Sequence, residues 1–120
     1  MDIQEIKKKI RSLYDELNKE VDGKIVLPSG TYIPPSAASY CDKANELVEE
    51  VKRYAKLDKD FIIAPILHTL DKEVSYVCNY DGKGKSKKKQ MEELEGFMRK
   101  ATHHIYRDLF SLLNDDDATL

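Results

Sequence analysis

The chain lacks tryptophan and has only two cysteines, five glycines and four prolines among 120 residues. Both cysteines, Cys41 and Cys78, fall in predicted helices, and we expect small buried thiols rather than a disulfide. A metal site needs more Cys or His ligands at closer spacing, so none is expected. No apolar run approaches the roughly 20 residues of a membrane span, and no signal peptide is evident. We therefore expect a cytoplasmic protein that does not cross a membrane.

The chain also lacks a dominant charge. Its 20 basic residues nearly balance 22 acidic ones, and the net charge of −2 excludes a chain that binds polyanions over its whole surface. Any nucleic-acid contact must therefore be local. An apolar fraction of 41% indicates a globular chain, and the length fits one domain. We predict a single domain over residues 1–114, followed by an acidic flexible tail over residues 115–120.

The chain does contain long stretches in which apolar residues recur at helical spacing. They predict helices over about residues 2–21, 37–55, 60–79 and 87–113, with Ser36 as the N-cap of the second. Pro65 is expected in the first turn of the third helix. Gly96 suggests a close backbone approach along the fourth. The pattern predicts an all-α fold, a four-helix bundle.

The segment between the first two helices, residues 24–35, is apolar and contains three prolines and one glycine. Residues 25–27 and 31–33 can pair as a small hairpin or form an ordered loop. The segment either covers one end of the bundle core or serves as a binding loop. The sequence leaves both alternatives open.

A lysine-rich loop, residues 81–90, separates the last two helices. It is not a phosphate-binding P-loop, because no strand precedes it and Asn79 stands where that motif needs glycine. Its lysines either belong to a solvated loop or contact phosphate groups. In the second case Lys85, Lys87 and Lys88 are the candidate binding residues.

The last helix carries an unusual stretch, RKATHHIYRDLF, at residues 99–110. At about 100° per residue, four side chains form a stripe nearly opposite the core face; these are Arg99, His103, Tyr106 and Phe110. An aromatic stripe of this kind suggests that another element of the chain or a second copy covers it, and a homodimer is the simplest form. Arg107 and Phe110 are candidate binding residues, whereas His68 on the third helix is interpreted as a boundary histidine.

In linear order the same stretch reads Arg99, four residues, His104, one residue, Tyr106. This spacing resembles the signature of HEPN ribonuclease domains, particularly the toxins paired with small nucleotidyltransferase antitoxins. The resemblance implies a cofactor-free, metal-independent ribonuclease built across a homodimer. It implies that His104 acts as general acid or base and that Arg99 stabilises charge on the phosphate. Tyr106 would be a supporting residue and, in the toxin–antitoxin form, a modification target.

Two other hypotheses use the same residues. On a regular helix Arg99 and His104 point about 140° apart while Arg99 and His103 share a face, so His103 is the reserve catalytic residue. The competing hypothesis is a non-enzymatic helical interaction module, such as a small bacterial or phage-type regulatory or inhibitor protein. It would bind a protein partner through the outer face of the last helix. A third hypothesis is capture of a small ligand or nucleotide between subunits by the arginines and the lysines of residues 83–89.

Overall fold

Four long helices dominate the computed structural model, which describes residues 2–22, 25–26, 32–33 and 37–114. The elements are α1 (Ile3–Asp22), β1 (Ile25–Val26), β2 (Tyr32–Ile33), α2 (Ala37–Leu57), α3 (Ala64–Cys78), α4 (Lys87–Asp108) and α5 (Phe110–Leu113). Each long helix packs on the next in sequence, and α1 also contacts α4, which closes the bundle. The all-α fold and the four-helix bundle are as the sequence predicts.

The core lies along the axis of this bundle and takes apolar side chains from every long helix. The largest fully buried residues include Ile10 and Leu17 of α1, Leu47 of α2, Ile66 of α3 and Ile105 of α4. They recur at the helical spacing seen in the sequence, which leaves most charged residues on the outer faces, although Lys7 and Glu50 are buried. In the described part of the chain, no helix combines the length and the apolar character that crossing a membrane requires.

A short antiparallel hairpin connects α1 to α2. Ile25 pairs with Ile33 and Val26 with Tyr32, so the hairpin alternative is the one observed. Residues 27–31, which join the strands, lie outside the described residues, and so does the predicted N-cap, Ser36. The acidic tail predicted for residues 115–120 also lies outside them.

The third helix begins at Ala64, four residues later than predicted. Pro65 occupies its first turn, as expected, and the helix therefore starts just before the proline. Asp58 organises the residues ahead of it: one carboxylate oxygen accepts from the Asp60 amide at 3.1 Å and the other from the Tyr54 hydroxyl at 2.7 Å. This local turn holds the chain out of the helix that the periodicity alone predicts.

The last helix is interrupted, whereas the sequence predicts one helix to residue 113. Leu109 separates α4 from α5 with φ −104° and ψ 13°, although its amide still donates to the Ile105 carbonyl at 2.9 Å. The short α5 contacts α1, where the Arg11 side chain donates to the Leu112 carbonyl at 3.0 Å. Packing against α1 gives a physical reason for the break that helical spacing does not contain.

Two local expectations are wrong. Cys41 of α2 and Cys78 of α3 form a disulfide rather than buried thiols, and Cys78 is exposed. Adjacent packing of α2 and α3 brings their Cα atoms to 5.8 Å, within the range a disulfide spans. Gly96 faces open space, where a Cβ would meet no neighbouring atom within 4 Å, so no close backbone approach requires it.

Candidate functional site

Two adjacent histidines of α4 face different neighbours. His103 lines an open cleft between α1 and α4, here called the α1–α4 cleft. His104 lies on the other side, with Nδ1 3.3 Å from Oε1 of Glu73 on α3. Because consecutive helical residues differ by about 100°, a regular helix cannot direct both into one site. The structure therefore places Arg99 with His103 at the cleft, whereas His104 does not line it although its ring centre is only 6.0 Å from that of His103.

The α1–α4 cleft has a volume of about 250 Å³. Helix α1 contributes Tyr14, Asn18 and Val21, and α4 contributes Arg99, Thr102, His103 and Tyr106. Three of the α4 residues follow i, i+4 and i+7 spacing, which keeps them on one side of the helix. The cleft thus gathers a guanidinium, an imidazole, two phenols and an amide, all groups that bind or transfer protons at phosphate esters.

Arg99 is oriented by an acidic neighbour one helical turn earlier. Its Nε and Nη2 donate to one carboxylate oxygen of Glu95 at 3.1 and 2.8 Å. The side chain remains about half exposed at the edge of the cleft. An exposed pair of this kind contributes little to stability, but it limits the positions from which the guanidinium can approach a ligand.

Tyr106 is held between two aromatic rings. Its ring centre lies 5.8 Å from that of Tyr14 and 5.6 Å from that of Phe110, the latter edge to face. Its hydroxyl accepts a hydrogen bond from Asn114 Nδ2 at 3.1 Å. Helix α1 thus covers part of the aromatic stripe, while Phe110 remains 55% exposed.

A buried hydrogen bond supports the floor of the cleft. The Thr102 hydroxyl donates to the Met98 carbonyl at 2.8 Å and lies 2.8 Å from the Tyr40 hydroxyl of α2, which can donate to it. Burial, which outweighs the opposing effect of the Thr102 contact, raises the pKa of Tyr40 to about 12. Tyr40 is therefore neutral at all physiological pH values and serves as a fixed donor beneath the cleft.

The opposite side of α4 forms a second surface with α3, here called the α3–α4 seam. Phe97 stacks on Tyr76 with ring centres 5.9 Å apart and meets Tyr80 edge-on at 6.0 Å. Further along, Lys100 Nζ lies 4.0 Å from Glu73, the residue that contacts His104. The seam thus combines exposed aromatic rings with a carboxylate that orients one imidazole.

The lysine-rich loop closes one end of the seam and has defined turns. Gln90 Nε2 donates to the carbonyls of Gly82 and Lys85 at 2.8 and 2.9 Å. Gly84 has φ +83°, which favours glycine. The Ser86 side chain caps α4 by accepting from the Lys89 amide. These contacts fix the backbone that carries the lysines.

Lys85 and Glu93 form an ion pair at the mouth of the seam. Their side chains approach to 2.6 Å, and the Tyr80 hydroxyl donates to the same Glu93 oxygen at 3.0 Å. The hydrogen bond from Lys85 is the main cause that lowers the pKa of Glu93, and it likewise raises the pKa of Lys85. Both groups stay charged around neutral pH. The side chains of Lys87 and Lys88 are exposed in the first turn of α4.

The remaining candidate residues lie elsewhere. His68 is exposed on α3. Arg107, whose Nε is 3.2 Å from Asp108, borders a separate cleft of about 480 Å³ that also includes Asp58 and Ile62. The described residues contain no group of three or more His, Cys, Asp or Glu side chains that could hold a metal ion.

Sequence reasoning missed the contributions of the other helices to both surfaces. Tyr14 and Asn18 of α1 are four residues apart, and so are Tyr76 of α3 and Tyr80 just after it; both pairs were visible in the sequence beside a core stripe. Which face of α4 each pair meets depends on tertiary packing. Comparison of the chain with protein-family models, with curated proteins and with solved structures finds no match.

Proposed function

We propose that this protein is a metal-independent ribonuclease of the toxin or defence type that the HEPN resemblance implies, with the α1–α4 cleft as its active site. One observation carries the proposal: Arg99, His103 and Tyr106 line the same open cleft. A guanidinium that binds a phosphate and an imidazole that transfers a proton are the two groups that metal-free RNA cleavage needs.

The proposed reaction is transfer of the RNA phosphate to its own 2′-hydroxyl. His103 takes the proton of the 2′-hydroxyl while the 2′-oxygen bonds to phosphorus and the bond from phosphorus to the 5′-oxygen breaks. The leaving oxygen takes a proton from the Tyr106 hydroxyl, whose developing charge the Asn114 amide stabilises. Arg99 stabilises the additional charge on the phosphate oxygens. The products are a 2′,3′-cyclic phosphate and a 5′-hydroxyl; His103 then releases its proton to solvent, and Tyr106 regains one from solvent.

The proposal assigns the acid–base role to His103, the reserve of the linear motif. His104, which the motif favours, contacts Glu73 on the seam and does not line the cleft. The two histidines are adjacent, identical in chemistry and both accessible to solvent, so they form a matched pair for mutagenesis.

The test is cleavage of a fluorophore–quencher RNA in the presence of EDTA. We expect His103→Ala to lower kcat/KM by about 10²–10⁴-fold, the usual contribution of a general acid or base, while His104→Ala stays within a few-fold of wild type. If only His104→Ala loses cleavage activity, the acid–base role belongs to His104, the histidine of the linear motif. No cleavage by wild-type protein across varied RNAs would refute the ribonuclease proposal.

A second candidate function is a protein-interaction module, and exposed Phe110 favours it. Its ring packs edge-on against Tyr106 at the end of the stripe and is 55% exposed, as binding hot spots often are before a partner covers them. A homodimer through the outer face of the last helix belongs to both proposals. In the interaction alternative, Phe110→Ala changes the mass measured by light scattering and His103→Ala does not.

Cytoplasmic location also belongs to the proposal, because RNA would be the substrate. Disulfides persist mainly in oxidising compartments, and the cytosol normally keeps thiols reduced. The redox state of Cys41 and Cys78 in cells therefore tests the location: full reduction fits a cytoplasmic protein, and stable oxidation does not.

A further inference from the structure

The α3–α4 seam exposes more aromatic surface than solvation alone explains. Tyr76 is 55% exposed and Phe97 36% exposed, and the two rings stack on each other. With Tyr80 they border a cleft of about 410 Å³ at the lysine-rich loop. Adjacent exposed rings rimmed by polar groups mark binding surfaces on soluble proteins.

The loop that borders these rings is rich in lysine. The loop and the first turn of α4 carry five lysines within seven residues, Lys83 to Lys89, and all five side chains are exposed. Of these lysines only Lys85 lines the cleft itself, together with Asp81 and Glu93, and Lys85 is paired with Glu93. Residues 81–89 hold five lysines against one aspartate, so this edge of the seam carries an excess of positive charge although the whole chain has a net charge of −2.

The loop backbone and the Lys85 side chain are fixed relative to the rings. Gln90 ties the loop to α4 through the Gly82 and Lys85 carbonyls, and the Tyr80 hydroxyl shares Glu93 with Lys85. A ligand that contacts both features therefore meets a largely preformed surface, which lowers the entropic cost of binding.

We propose that the α3–α4 seam binds single-stranded RNA, with bases stacked on Tyr76 and Phe97 and phosphates along the lysines of residues 83–89. Aromatic rings next to a basic groove are the combination that single-stranded nucleic acids require. A protein partner fits less well, because lysine is depleted in protein–protein interfaces. The inference rests on the proposed function for the choice of RNA, and it makes the seam a substrate-holding surface separate from the cleft.

The test is fluorescence anisotropy with a labelled oligouridylate of about 12 nucleotides, within the site sizes of single-strand binders. Binding is measured on the His103→Ala protein so that cleavage does not interfere. We expect Tyr76→Ala and Phe97→Ala each to raise Kd about tenfold. Replacing Lys87 and Lys88 together with Ala should raise Kd at low salt and flatten its salt dependence by about 1.4 units, roughly 0.7 per phosphate contact. The matched control is Ile62→Ala, an apolar side chain 75% exposed at another site, which should change nothing.

The outcomes separate this inference from the proposed function. If wild-type protein cleaves RNA but Tyr76→Ala binds it as tightly as its parent, the seam proposal is overturned and the ribonuclease proposal stands. If Tyr76→Ala weakens binding and wild type cleaves no RNA, the seam proposal holds and the ribonuclease proposal fails. Absence of RNA binding by the parent overturns the seam proposal, and so does a Tyr76→Ala change in oligomeric mass at unchanged RNA affinity.

Discussion

The two sides of α4 differ in chemistry although they share one helix. The side toward α1 places Arg99 and His103 at an open cleft. The side toward α3 places His104 against a carboxylate, next to stacked aromatic rings. The two histidines are consecutive in the sequence, so the comparison shows that linear spacing assigns a side chain to a site only after the neighbouring helices are known.

The two sides are also held in different ways. Beneath the cleft, Tyr40 of α2 meets Thr102 of α4 in a buried hydrogen bond within the apolar core. Near the seam, the disulfide ties α2 to the C-terminal end of α3, two residues before Tyr80. We therefore expect the cleft to respond to changes in core packing, and the seam to changes in redox conditions.

The largest expected effect tests the cleft. Arg99→Lys keeps the charge but removes the planar fork that binds two phosphate oxygens, and we expect RNA cleavage to fall by about 10²–10³-fold in kcat/KM. Arg107→Lys is the control, because that arginine contacts Asp108 outside the cleft. Equal losses in both variants would mean that the cleft holds no special role for Arg99.

The next largest effect tests how the seam is held. Cys41→Ser with Cys78→Ser removes a cross-link between residues 37 apart and should lower the free energy of unfolding by about 2–4 kcal/mol, as measured by urea denaturation. Hydrogen exchange should rise most at the C-terminal turn of α3 and in the following loop, and least in α1.

Thiol titration of unreduced wild-type protein is the control for this comparison. It should detect no reactive thiol, since both cysteines are bonded. Two titratable thiols, or a uniform rise in exchange over all four helices, would contradict the idea that the disulfide secures the seam in particular.

Sequence patterns predicted the bundle because apolar residues at helical spacing are the ones that become buried. Four residues of α1 show this: Ile6, Ile10, Leu13 and Leu17. The sequence patterns did not predict features that depend on contacts between helices or on local turns. The start of α3 is set by Pro65 and the Asp58 turn, and the break at Leu109 accompanies contact with α1. Only the α4 side of the cleft could be predicted from the sequence. Helical spacing places Arg99, His103 and Tyr106 on one face, but their neighbours on α1 are known only from the packing of the helices.

A smaller effect tests the support beneath the cleft. Because the pKa of Tyr40 rises from 10.0 to about 12 in the folded protein, the folded state retains a proton that the unfolded chain loses. The contribution of Tyr40 to the free energy of unfolding is therefore fully present below pH 10. It is lost as pH rises toward 12, and the total loss is roughly 3 kcal/mol.

Tyr40→Phe is the matched control, because it keeps the buried ring and removes the titrating hydroxyl. It should cost about 1 kcal/mol at pH 7 through the lost hydrogen bond and show a weaker decline between pH 10 and 12 in urea midpoints. Identical alkaline profiles for the two proteins would show that Tyr40 does not titrate at the raised value.

The smallest effect tests the mouth of the seam. The Lys85 ammonium lowers the pKa of Glu93 below its ordinary value of 4.5, so Lys85→Met should raise that pKa in a carboxyl-detected NMR titration, while Lys83→Met leaves it unchanged. Stability from the pair is present above the ordinary pKa and is lost as pH falls through the folded value, so the stabilities of wild type and Lys85→Met should converge in acid. A Glu93 pKa that both substitutions leave unchanged would mean that the ion pair does not form in solution. The Lys85 side chain would then not be held beside the aromatic rings, and RNA binding at the seam would lack a preformed positive charge.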